Sequence, residues 1–338
     1  MKTERLNADE QGISRAGELL RAGGLVAIPT ETVYGLAANA LDGAAVAKIF
    51  AAKGRPMDNP LIVHIARQEE IFPLVKDFPP SARALAEAYW PGPMTIILPK
   101  ADRIPNEVSA GLSTVAVRFP SHPAARAVIR AAGVPLAAPS ANSSGKPSPT
   151  CAAHVLRDLD GKINAVLDGG DCGVGVESTV VTLASGRPRL LRPGGITPEQ
   201  LRAVLGDLEI DPAVTHRLAE GQKAISPGMK YKHYAPVAQV TILRGSRQAY
   251  LEYVNTHAEN GVFALCFEED ESELRVPFVA YGREADSSSQ AHLLFDALRL
   301  LDERGAKRVF ARCPSQQGVG LAVYNRLIRA AGFSFLDV

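Results

Sequence analysis

The chain has only four cysteines in 338 residues, Cys151, Cys172, Cys266 and Cys313, and no two form a C-x-x-C pair. That excludes a zinc ribbon and a disulfide scaffold, and points to reduced thiols. It also lacks charge of one sign: 37 Lys and Arg face 36 Asp and Glu, a formal net charge of +1. No general field for a polyanion follows, although net charge leaves a local basic patch open. No apolar run approaches the ~18 residues of a membrane span. The opening MKTERLNADEQGIS is polar and has no signal-peptide core, so the chain reads as soluble and cytoplasmic. A nucleophile triad, a metal-ligand cluster and a redox-cofactor motif are missing too. Gly145-Lys146 suggests a phosphate loop, but Pro147 takes the Ser/Thr position and no glycine stands five residues before Gly145. A Walker A loop is therefore excluded.

What is present fits a globular protein of about two domains. Hydrophobic residues are 46% and charged residues 22%, enough to build a core without staples. The first two thirds alternate short apolar runs with helical periodicity. Helices are expected at 14–21, 44–53, 81–89, 123–132, 152–159 and 197–205, the last with Thr197 as N-cap and Pro198 at its first position. Strands are expected at 25–29, 61–66, 94–98, 114–119, 134–138, 165–168, 178–183 and 189–191. Several strands follow one another without a helix, so this α/β sheet should be mixed. Residues 207–238, which contain SPGMKYKHYAP, lose periodicity and read as a linker between a first domain (1–206) and a second (239–338). In the second, strands at 239–243, 262–267, 276–281 and 308–311 alternate with helices at 247–257, 291–303 and 321–331. That spacing suggests a smaller, doubly wound, Rossmann-like parallel sheet.

Polar residues cluster just past the apolar strands, where α/β folds place ligands. Pro29-Thr30-Glu31-Thr32 reads equally as a binding segment or a capped turn. Lys53-Gly54-Arg55 can address a polyphosphate or merely close a helix. His64 lies mid-strand, where a hydrogen-bonded core histidine is the plainer reading. Arg118 ends an apolar strand and needs a carboxylate, either from a substrate or from an internal Asp or Glu. Ser140-Ala141-Asn142 offers hydroxyl and amide groups to phosphate or purine edges, or forms an Asx-type turn. The glycine-dense run 168–180 permits close backbone approach, and Arg192-Pro193-Gly194 sets a cation at another strand end. Together these features suit nucleotide binding, with catalysis by orientation and electrostatics.

The ordered motifs PTETVYGLAANA, KGRP…NPL, VRFP, APSANSSG, ESTVV and RPGG resemble the YrdC-type threonylcarbamoyl-AMP synthases. SPGMKYKHYAP and GVGLAVYNRLIRAA resemble the long, two-domain members, which implies a twisted mixed sheet in a YrdC-like first domain. The resemblance implies that L-threonine, bicarbonate and ATP, with Mg2+, yield threonylcarbamoyl-AMP and pyrophosphate. The product would serve a downstream threonylcarbamoyl transferase complex in tRNA modification, with direct tRNA contact left open. Lys53, Arg55, Ser140 and Asn142 match the family's catalytic set. Asn59, Thr114, Ser148 and Arg192, together with Lys53, Arg55 and Ser140, fall at nucleotide positions. Thr32, His64, Arg118, Ala138 and Ser178 fall at threonine positions, Ala138 through its backbone alone, and Tyr234 matches a lid over the nucleotide. A non-catalytic RNA-binding platform is the rival class, opposed by the near-neutral charge. Carbamoyl transfer in hydrogenase maturation is opposed by the absence of zinc-type cysteine pairs.

Overall fold

The structure, a computed structural model, describes residues 2–217, 226 and 234–338. The parts of the expected linker at 218–225 and 227–233 lie outside the described residues. An eleven-stranded mixed sheet organises the first part of the chain. Its strands are β1 (Glu4–Asn7), β2 (Val26–Ile28), β3 (Gly35–Asn39), β4 (Ile62–His64), β5 (Met94–Pro99) and β6 (Thr114–Arg118). They continue with β7 (Leu136–Ala137), β8 (Ala165–Asp168), β9 (Thr179–Thr182), β10 (Arg189–Arg192) and β11 (Glu209–Ile210). The spatial order is β1-β8-β2-β3-β7-β4-β6-β5-β9-β10-β11.

Side-chain alternation along the strands assigns the two faces. On one face, Ala27, Leu36, Val63, Ile96, Val117, Val181 and Leu190 join the main core. Helices α2 (Gly43–Lys53), α3 (Pro80–Tyr89), the single-turn α4 (Asn106–Ser109), α6 (Ala152–Leu159) and α7 (Pro198–Leu205) cover it. On the other face, Val26, Ile28, Ala37 and Leu136 pack under α1 (Glu10–Arg21) and α5 (Pro123–Ala132). Those two helices cover only one end of that face. At the other end Ile62, Ile97, Ala116, Val180 and Leu191 form a separate small apolar cluster, and Ile62 lines a cleft.

The second sheet has five strands, all parallel: β12 (Gln239–Arg244), β13 (Val262–Cys266), β14 (Phe278–Ala280), β15 (Arg308–Arg312) and β16 (Phe335–Asp337), in the order β14-β13-β15-β12-β16. Helix α8 (Arg247–Thr256) packs on one face. Helices α9 (Ser287–Glu303) and α10 (Gly320–Ala330) pack on the other. The doubly wound arrangement expected for this region is thus present.

Most expected elements appear within a few residues of their expected ends, and Thr197 caps α7 through a full capping box with Gln200. Helix α1 begins four residues earlier than expected because Asp9 accepts from the Gly12 amide. Strands β1, β3, β11 and β16 were not expected. β3 reads GLAAN, with no β-branched or aromatic residue, so strand propensity is silent there and pairing with β2 and β7 decides. β11 pairs with β10 and so extends the large sheet into the region read as linker. Among the described residues, no helix is long and apolar enough to cross a membrane, and all four cysteines are free.

Candidate active site

A cleft of about 630 Å³, its open mouth included, is lined by Thr30, Thr32, Val33, Gly35, Arg55, Ile62, His64 and Arg118, with Ala138, Pro139, Ser140, Asn142, Glu177, Ser178, Arg192 and Tyr234. Ten of the fourteen residues singled out from the sequence are among these. Strand ends deliver most of them: β4 carries His64, β6 Arg118, and the segment after β7 carries Ala138, Ser140 and Asn142.

Arg118 is 3% exposed and its nearest anion is internal. Its Nη2 lies 2.7 Å from Glu31, its Nη1 donates to Thr32 Oγ1 at 2.9 Å, and its Nε donates to Gly92 O at 3.3 Å. A guanidinium has five N–H donors, so about two remain for a further acceptor. Burial raises the Glu31 carboxyl, but the Arg118 charge beside it prevails and holds it below the ordinary range. Next to Arg118 on the sheet, His64 is pushed down to about 3 by burial and then by Arg118. It is neutral at physiological pH. Its Nδ1 faces Ile62 O at 3.1 Å; the tautomer that donates there leaves Nε2 as an acceptor.

Lys53 ends α2 but does not line the cleft. Its Nζ donates to Asn142 O at 2.7 Å, to Asn142 Oδ1 at 3.3 Å and, more closely still, to Ser140 O. Three acceptors match the three N–H bonds of an ammonium, although burial and then Arg55 lower its affinity for the proton. Asn142 Oδ1 also accepts from Ser140 Oγ at 2.6 Å. The lysine thus sits one hydrogen bond behind the cleft and fixes the loop that faces it. Asn59 also lies behind: its carbonyl accepts from Arg55 at 3.2 Å. Its fully buried amide has no hydrogen-bond partner on either atom among the described residues. Ser148 donates to Glu177 at 2.5 Å. Thr114 is the outlier. It opens β6, four residues and about 13 Å from Arg118 along the strand.

Residues 177–178 and 192 form the remaining wall. Arg192 donates to Ser178 O and Oγ, both at 3.0 Å, and Ser178 Oγ pairs with Thr95 at 2.8 Å. Burial lowers Arg192 to about 10, which leaves it charged at neutral pH. Gly194 is required here, because a Cβ would fall 2.4 Å from the Thr179 nitrogen. Tyr234 packs 5.1 Å from Phe295 of the second domain, ring centre to ring centre. The sequence reading places Thr30 and Glu31 in a segment that could bind a ligand or merely turn, and gives neither of them, nor Glu177 in the glycine-dense run, a role of its own. Glu177 carried one usable signal, a carboxylate directly before an apolar strand. Three arginines line the cleft, with a buried lysine behind it and two carboxylates beside them, an arrangement suited to phosphate and carboxylate ligands.

Residues 18–194 match the Sua5, YciO and YrdC family model, described as "Telomere recombination". Residues 196–332 match that of the "Threonylcarbamoyl-AMP synthase, C-terminal domain". The threonylcarbamoyl-AMP synthase of Bacillus subtilis (strain 168) is 48% identical over 98% of this chain and 96% of its own. The chain belongs to the threonylcarbamoyl-AMP synthase family. A second synthase of the family, from Pyrococcus abyssi (strain GE5 / Orsay), is 44% identical over 99% of this chain and 98% of its own. The crystal structure of P. abyssi Sua5 complexed with L-threonine superposes with a TM-score of 0.93 at 43% identity, covering 100% of both chains. Synthase relatives thus share the two-domain architecture from end to end.

Proposed function

We propose that this chain joins L-threonine, bicarbonate and ATP into threonylcarbamoyl-AMP, releasing pyrophosphate and water, for N6-threonylcarbamoyladenosine modification of tRNA. The observation that carries the reading is the cleft: arginines and the Ser140–Asn142 loop converge there, in a chain alike throughout to a threonine-bound relative.

In this reading Arg118 takes the threonine carboxylate on the donors that Glu31, Thr32 and Gly92 leave free. Neutral His64 accepts from the threonine hydroxyl or amine without competing for the carboxylate as a cation. Ser178, Thr32 and the Ala138 backbone complete that half. ATP lies along Arg55, Ser140, Ser148 and Arg192, with Thr114 farther along the same face and Asn59 behind it. Lys53 fixes the Ser140–Asn142 loop and adds its charge from behind. The threonine amine forms a carbamate with bicarbonate; a carbamate oxygen attacks the α-phosphorus, and pyrophosphate departs as its charge is met by the basic residues. ATP arrives as its magnesium complex. Magnesium is typically held mainly by substrate phosphates and water. Bound there, it would neutralise phosphate charge. Tyr234 closes over the nucleotide and keeps water from two labile species. The product passes to a threonylcarbamoyl transferase complex, where direct contact with tRNA is one route of delivery.

The test is pyrophosphate release with ATP, L-threonine and bicarbonate present and each omitted in turn, with Lys53→Ala as control. Release that needs all three and fails in the variant is the expected result. ATP that binds yet is never cleaved would end the synthase reading.

A further inference from the structure

Arg326, on α10 of the second domain, is fully buried and reaches across into the cleft wall of the first. Its Nε donates to Glu177 Oε2 at 2.7 Å and its Nη2 to Glu177 O at 3.2 Å. Its Nη1 donates to Pro193 O and to Asn325 Oδ1, at 2.9 and 2.8 Å. The other carboxylate oxygen of Glu177 accepts the Ser148 hydroxyl. One guanidinium from a separate domain therefore grips both walls beside Arg192: the segment before β9 and the segment after β10. The Tyr234 ring lies 5.8 Å from the same guanidinium.

We infer that Arg326 is a positioning residue for the ATP half of the cleft, acting through Glu177 to aim Ser148 and through the Pro193 carbonyl to fix the strand end that carries Arg192. The inference rests on the functional reading above. Its logic is electrostatic. Glu177 lines a cleft meant for polyanions, and an unpaired buried carboxylate there would repel phosphate. Arg326 cancels that charge without occupying ligand space, because it approaches from behind the wall. A carboxylate next to a triphosphate site is tolerable only with such a partner. On this view the second domain completes the substrate site and is more than an appendage to it.

The experiment compares Arg326→Met, Arg326→Lys, Glu177→Gln and the Arg326→Met/Glu177→Gln pair in the full chain. Asp296→Asn serves as control; it removes an interdomain contact to His154 outside the cleft. Arg326→Met should raise KM for ATP ten-fold or more and leave KM for threonine within two-fold. Arg326→Lys should recover part of the loss, and the double variant should cost no more than the worse single, since the two residues act as one unit. ATP affinity by titration calorimetry reads the same contrast without turnover. A wild type that binds ATP but makes no product would therefore sink the functional reading and leave this one testable. An unchanged ATP KM in folded Arg326→Met overturns the inference. So does an equal rise in Asp296→Asn, which would mark general loosening of the domains. Should Arg326→Met fail to fold, ATP KM values within two-fold of wild type in both Arg326→Lys and Glu177→Gln overturn it as well.

Discussion

At the residue scale, on the proposed reading, the cleft pairs its cations before a substrate arrives. Arg118 is held by Glu31, Thr32 and Gly92, so its remaining donors are already aimed. Arg118→Lys keeps the charge but loses the planar fork. With charge-assisted hydrogen bonds worth about 1.5–3 kcal/mol each, the variant should raise the threonine KM by roughly ten-fold or more, with a smaller change in the ATP KM; steady-state kinetics against each substrate checks this. His64 makes a second prediction, through stability. Its folded pKa of about 3 lies below the ordinary 6.5, so between those values the unfolded chain binds the proton and the folded chain does not. The contribution is intact above pH 6.5 and is lost as pH falls toward 3, by up to about 1.4 kcal/mol per pH unit. His64→Gln should flatten the acid limb of a urea-melt pH series; an unaltered slope would refute the assignment. Residue identities along the cleft were largely legible in the sequence, because hydroxyls and cations at strand ends are a local pattern. The partner of Arg118 was not. Glu31 stands only 87 positions away in sequence number, but nothing in the spacing separates it from a substrate carboxylate.

At the element scale, periodicity located nearly every helix and strand that carries apolar residues at regular intervals. It passed over β3 and β11, whose existence depends on neighbours in the sheet and not on their own side chains. It also gave no sign that the glycine-dense segment before β9 meets the second domain. There Gly175 has φ of +83°, and a Cβ would lie 2.4 Å from the His292 Cα of α9. Its amide donates to Thr32 O at 3.1 Å, one residue after Val174 donates to Glu31 O at 2.7 Å. The segment therefore joins helix docking to the Arg118 pocket. Gly175→Ala pays about 1–2 kcal/mol for the left-handed backbone, before the clash with backbone atoms is counted. Its urea midpoint should fall, and kcat/KM for threonine should fall with it. A variant with wild-type midpoint and kinetics would show that the docking is loose enough to yield.

At the scale of the whole molecule, two sheets are fastened through buried ion pairs, and no reading of local pattern could match those partners across more than a hundred residues. Arg299 of α9 reaches Asp158 of α6 at 2.9 Å, with both side chains almost fully buried. Lys146 adds a more exposed contact to the same carboxylate at 3.4 Å. Burial raises the Asp158 carboxyl, but Arg299 and Lys146 prevail and hold it below its ordinary value. Its share of stability is therefore present above the ordinary carboxylate range and is lost as pH falls through it. Arg299→Met leaves a buried carboxylate with only the lysine and the Ser143 amide, which donates to it at 3.3 Å. Removing one partner of a buried pair costs about 3–5 kcal/mol, and the residual lysine contact argues for the lower end at pH 7. Acidification allows the stranded Asp158 to take up a proton, and a neutral acid tolerates burial far better than an anion. The gap between wild type and Arg299→Met should therefore narrow as pH is lowered from 7 toward 4, when followed by chemical denaturation at each pH. A gap that stays constant would mean the pair contributes through packing of the arginine stem and not through its charge.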